Sequence, residues 1–150
     1  MAKKTLILLL LFVTTICIGC STSLVKYSES RAVPLERIYK PYEKYSEATP
    51  SKSKLIVVRD GGILGAGGSA ALFLNGEIVA RFRTSESLVL HVNEGDNVIG
   101  AGPGVKMNWE SDSVGLVEQT LMVMKNQTYY YRLGIHPYNG LVLNRSTQLE

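Results

Sequence analysis

Thiols, imidazoles and indoles are scarce in this chain. Its 150 residues hold two cysteines, two histidines and one tryptophan. Both cysteines, Cys17 and Cys20, fall at the N-terminal end, so no thiol after Cys20 can supply a disulfide, a zinc ligand or a nucleophile. The domain must therefore hold together without covalent staples. His91 and His136 stand apart, with no cysteine near either and no acidic calcium loop, which leaves no metal-ligand spacing. Charge of one sign is missing too. Lys3 and Lys4 precede Cys20, so 16 basic residues become 14 against 13 acidic ones, a balance of +1. Without a clustered basic face, no nucleic-acid partner is expected.

The apolar content that is present begins with an address. Lys3 and Lys4 are followed by an almost wholly apolar run, Leu6 to Ile18, and then by Gly19-Cys20. This pattern matches the n-region and h-region of a secretory signal, and Cys17-Ile18-Gly19-Cys20 resembles the end of a bacterial lipoprotein signal, with Cys17 where leucine is usual. The resemblance implies lipidation of Cys20 and cleavage before it, with residues 1–19 removed. The run is shorter than the roughly 20 apolar residues of a spanning helix. The C-x-x-C spacing of Cys17 and Cys20 points to redox or metal chemistry only if both remain, and this reading removes one and alkylates the other. The implied partner is a membrane, held through lipid on Cys20. By resemblance to Gram-negative sorting, Ser21 after the cysteine favours the outer membrane, with the domain in the periplasm.

From Ser21 to about Ser53 the chain is polar, with Pro34, Pro41 and Pro50 and mixed charges. It reads as a tether, 20–53, between lipid and domain. Tyr27, Tyr39, Tyr42 and Tyr45 stand out within it; Arg37-Ile38-Tyr39 is expected to pack on the domain as a short edge strand.

Beyond residue 53 the pattern is β. Leu55 to Val58 form a short apolar run. Ala70, Leu72 and Leu74 alternate into Asn75-Gly76, a hairpin turn, and Ile78, Ala80 and Phe82 return with Val79, Arg81 and Arg83 opposite. Leu88, Leu90 and Val92 alternate with Val89 and His91, and Asn93 to Asp96 turn the chain again. Val114 to Lys125, Thr128 to His136 and a last strand around Leu141 and Leu143 complete the domain. About seven or eight short strands without a convincing helix predict an all-β fold, a single antiparallel β-sandwich or partly open barrel over residues 54–150.

Candidate chemistry is thin. Gly65-Ala66-Gly67-Gly68-Ser69-Ala70 fits a G-x-G-x-x-A dinucleotide fingerprint, but Asn75-Gly76 follows too soon for the helix that must receive the pyrophosphate. Gly61 to Gly68 is better taken as a connection, with Ile63 and Leu64 as a candidate binding loop together with Trp109. No serine sits in a G-x-S-x-G elbow. Glu94 with Asp96 and Glu110 with Asp112 are the acid pairs that a peptidoglycan hydrolase would use, and both sit in turn-like segments. Tyr129 and Tyr131 are expected in the core, which leaves Tyr130 and Arg132 as a candidate binding face. No catalytic residue, cofactor or metal ligand is assigned.

Several short motifs run together: Leu55 to Arg59 before a glycine-rich insert, Phe73-Leu74-Asn75-Gly76 with Ile78-Val79-Ala80, Val92-Asn93-Glu94-Gly95, and Lys125 to Arg132. In that order they resemble the bacterial lipoprotein family designated domain of unknown function 2846, which usually has proline where Glu94 stands. The resemblance implies a small β-sandwich on a lipid anchor and no catalytic residues. The function expected from all of this is non-enzymatic: a lipid-anchored module that binds another envelope protein through a sheet edge or a loop. A cell-wall hydrolase and an inhibitor of a foreign envelope enzyme are the alternatives.

Overall fold

The computed structural model describes residues 22–62, 68–104, 115–136 and 139–147. Strands are β1 (Thr22–Ser23), β2 (Arg31–Ala32), β3 (Lys52–Arg59), β4 (Gly61–Gly62), β5 (Ala70–Leu74), β6 (Glu77–Phe82), β7 (Glu86–Asn93), β8 (Gly95–Pro103), β9 (Val117–Val123), β10 (Thr128–His136) and β11 (Gly140–Arg145). A single turn of helix, α1 (Glu43–Ser46), precedes β3. Two sheets face each other, ordered β11-β10-β3-β7-β2 and β6-β5-β8-β9, while β1 and β4 form a two-stranded ribbon. The fold is an all-β sandwich. Setting aside the two-residue strands β1, β2 and β4, eight of the eleven remain, within the expected number.

Alternation places the core. Leu55, Val57, Leu88, Leu90, Val92, Tyr129, Tyr131 and Leu133 point inward from the larger sheet and meet Leu72, Leu74, Phe82, Ile99, Ala101, Leu121 and Val123 from the smaller one. Burying each such side chain stabilises the fold by about 1.5–3 kcal/mol. β3 is apolar on both faces because it lies between β7 and β10, with its outer face also covered: Ile56 and Val58 pack beneath Val25, with Tyr27, Val89 and Tyr130 around them.

Local chemistry explains the turns. Asn75 and Gly76 adopt positive φ, at 52° and 78°, which glycine tolerates freely and asparagine more readily than most residues. Asn75 then fixes its surroundings: its side-chain oxygen accepts from the Val98 amide at 2.9 Å, and its amide donates to Asn97 Oδ1 at 3.0 Å. Strict alternation fails once in this hairpin. Register shifts between Leu72 and Phe73, whose partners are Ala80 and Ile78, so Val79 is the extra residue of a β-bulge and turns into the core rather than outward as its spacing predicts.

Two pairings are parallel rather than antiparallel, β3 with β10 and β2 with β7. Both join strands far apart in sequence, where no hairpin dictates direction.

The stretch read as a tether is docked on the sandwich. Ser23 and Thr22 pair with Gly61 and Gly62, and a Cβ on Gly61 would come within 2.8 Å of Ser23 Oγ and 3.3 Å of Val25 Cγ2, so a larger residue there would have to displace the Ser23 hydroxyl. Further on, Arg31 and Ala32 extend β7, and the Val33 amide donates to Ser87 O at 3.0 Å. Ile38 then bridges Ala80, with the Tyr39 amide donating to Val79 O at 3.0 Å. Arg37-Ile38-Tyr39 packs on the domain but is not the edge strand expected of it: Arg37 ends a 3-10 turn, Leu35–Arg37, and Ile38 makes one isolated bridge. Val33 and Tyr45 enter the main core and Ile38 and Tyr42 pack against it. Composition misled because these apolar residues follow no period; each meets a different element.

Candidate functional site

One end of the sandwich is polar by design of its buried charges. Arg59, at the inward face of β3's end, is 3% exposed and donates to Phe82 O at 2.5 Å and Gly68 O at 2.9 Å, tying the larger sheet to the smaller. Burial pulls its pKa down and the nearby Glu86 charge partly offsets that, yet an arginine stays protonated there. Glu86 lies at the start of β7 and takes two hydrogen bonds from Arg37, 2.7 Å from Nη1 and 2.5 Å from Nη2, and one at 2.7 Å from the Arg83 amide. Burial pushes the Glu86 carboxyl up, but the hydrogen bonds from Arg37 and the Arg83 amide together outweigh it and hold the pKa below its ordinary value. The same pairing raises Arg37.

On the outer face at this end, Asp60 and Arg132 meet side by side. Nε donates to Oδ1 at 3.0 Å and Nη2 to Oδ2 at 2.6 Å, a bidentate pair that fixes both planes. The aspartate is nearly buried and the arginine partly open, at 6% and 28% side-chain exposure. Gly134 makes this possible, since a Cβ there would lie 3.0 Å from Asp60 Oδ2. A small cavity of about 140 Å³ adjoins the pair, lined also by Thr22, His136, Val142 and Asn144.

The second candidate is an edge. β9 is outermost in its sheet, paired with β8 alone. Met122 and Met124 are 59% and 61% exposed, and Val98 beside them on β8 is 40% exposed. Across the gap to β11, Gln119 Nε2 donates to Leu143 O at 3.1 Å. The exit of β9 is fastened from below, where Ser53 Oγ donates to Met124 O at 2.7 Å and the Met124 amide donates to the Tyr129 hydroxyl at 2.8 Å.

Of the residues singled out in the sequence, Tyr129 and Tyr131 lie in the core, and Tyr130 and Arg132 share the outer face. Their partners differ: Tyr130 packs against the cluster of Ile56 and Val58, whereas Arg132 holds Asp60. His91 occupies the outer face of β7 opposite Lys54, with its Nδ1 buried and without a hydrogen-bond partner. His136 borders the cavity near Arg132. Glu94 and Asp96 are exposed at the β7–β8 turn. Cys20, Ile63, Leu64, Trp109, Glu110 and Asp112 lie outside the described residues. After the glycine-rich motif, Ala70–Leu74 is a strand running into the Asn75-Gly76 turn, so no helix N-terminus stands there to receive a pyrophosphate. Among the described residues, no three His, Cys, Asp or Glu side chains gather as a metal site, and no helix is long and apolar enough to cross a membrane.

Asp60, Arg59 and Glu86 were not singled out. A charge at a strand end ordinarily marks where the chain returns to water, and only the hydrogen-bond partners reveal that these are buried. Comparison with family models, curated proteins and solved structures finds no match to the chain.

Proposed function

We propose that this protein is a non-enzymatic, lipid-anchored module of the bacterial outer membrane, facing the periplasm, whose sandwich binds an extended segment of another envelope protein along β9. The signal-like N-terminus supports the anchor and the resemblance supports the setting. The observation that carries the binding reading is the edge itself: β9 presents an unpaired flank among the described strands, with Met122, Met124 and Val98 exposed beside it. An added strand gains affinity from main-chain hydrogen bonds and specificity from side chains at alternate positions. Exposed methionines suit such a surface, being flexible and polarizable enough to repack on a partner.

A photo-reactive residue placed at Thr120 on β9, in living cells, tests this. A discrete protein adduct is expected from the acylated protein, lost in Cys20→Ser and lost again in Met122→Lys/Met124→Lys, because lysines on an edge block strand addition. An abundant, acylated protein that yields no adduct, or one indifferent to the lysines, would overturn the reading.

A further inference from the structure

We infer that the Asp60–Arg132 corner is the membrane-facing surface of the domain and rests among phospholipid headgroups. The inference depends on the proposal that Cys20 carries the lipid. Thr22 is not loose: it pairs with Gly62 and lines the cavity beside Asp60, Arg132, His136 and Asn144. One residue, Ser21, stands between it and Cys20, two steps of chain that span at most about 7 Å. A headgroup layer is itself roughly 5–8 Å thick on each side of the hydrocarbon. With its acyl chains buried, Cys20 therefore leaves Thr22 no deeper into solvent than the headgroups reach, and the corner around Thr22 must lie against them. A flexible tether over residues 20–53 would have imposed no orientation, but a chain docked from its second residue after the anchor imposes one.

The chemistry of the corner suits that place. Arg132 spends Nε and Nη2 on Asp60 and lines the cavity, where a guanidinium can donate to a phosphodiester oxygen. Asn144 is exposed beside it, and Leu24, just beyond the ribbon, is 36% exposed, a modest apolar contact for the acyl boundary. Asp60 prevents the corner from being strongly cationic, so binding depends on the anchor and the corner sets the attitude of the domain.

Once acylated and processed, the protein has no free thiol, so a single introduced cysteine can carry a fluorophore. Asn139→Cys marks the β10–β11 turn near the corner and Gln127→Cys the opposite end of β10; eight steps of strand, about 27 Å, run from Thr128 to His136. In vesicles of phosphatidylethanolamine and phosphatidylglycerol containing headgroup-spin-labelled lipid, the label at 139 should be quenched several-fold more than that at 127. Asn144→Asp, which adds a negative charge facing the phosphates, should narrow that ratio at low salt. Mass analysis of the N-terminal peptide separates the two possible failures. Acylated Cys20 with equal quenching at both labels overturns the docked orientation alone; an unacylated Cys20 removes the anchor and the orientation with it.

Discussion

The two open sides of this sandwich are closed in different ways. Between β7 and β6, the chain itself crosses: residues 31–39 extend one sheet, pass over and pair with the edge of the other, while Val33 and Tyr45 fill the space behind them. Between β11 and β9, the described contact of backbone with side chain is the single bond from Gln119 to Leu143 O. Among the described residues, the first side is crossed by main chain, whereas the second is closed by side chains alone, Gln119 with Leu143 and the partly buried Val117 and Leu141, which keeps the backbone flank of β9 available. On the function proposed above, structural and binding roles are divided between them.

Substitutions at the two sides should differ accordingly. Tyr45→Ala should have the largest effect, about 3 kcal/mol in urea unfolding, as for loss of a buried aromatic ring; a tether residue would change stability by a few tenths at most. Next is Glu86→Gln, which loosens Arg37 from the same side and should cost about 2 kcal/mol at neutral pH, a charged and hydrogen-bonded pair being broken. That cost has a pH signature. Because the folded Glu86 carboxyl titrates below its unfolded value near 4.3, its contribution is present above pH 4.3 and fades as pH falls through the lower folded pKa. Wild type and Glu86→Gln should thus converge in midpoint as the pH falls below the unfolded carboxyl value. At the open side, Gln119→Ala should cost only about 1 kcal/mol. Smallest of all, Met122→Lys/Met124→Lys should leave stability within about 0.5 kcal/mol while abolishing partner capture, and a large loss of stability there would erase the distinction between the sides.

Much of the sandwich was legible because strands announce themselves by period. Leu88, Leu90 and Val92 point inward as their spacing requires, and Asn75-Gly76 turns where its chemistry demands. Tyr129 and Tyr131 went inward for the same reason, leaving Tyr130 and Arg132 outside. What was not legible depends on distant partners. Val33 and Tyr45 sit in a polar, proline-punctuated stretch and acquire their burial from β6 and β7. The parallel pairing of β3 with β10 sets Tyr131 against Val57, a register no local pattern carries. Arg59 and Asp60 looked like the end of a strand, and their partners, Phe82 and Arg132, lie in other strands altogether. A sheet edge was expected only in general terms, as a route for binding; that β9 lies at one follows from the sheet order.

The central position of β3 also governs how the chain can be made. One flank of β3 belongs to β10, whose residues begin at Thr128, so that flank has no partner until most of the chain has emerged. Pairing across so long a separation is slow, and Leu55 to Val58 are apolar on both faces meanwhile, the condition in which nascent strands join the wrong neighbour. A chain ended before Thr128 is consequently not a shorter sandwich but an unsealed one, Leu55 to Val58 left at the edge, and quality control in the cell should meet it as an aggregating species rather than as a weak version of the whole.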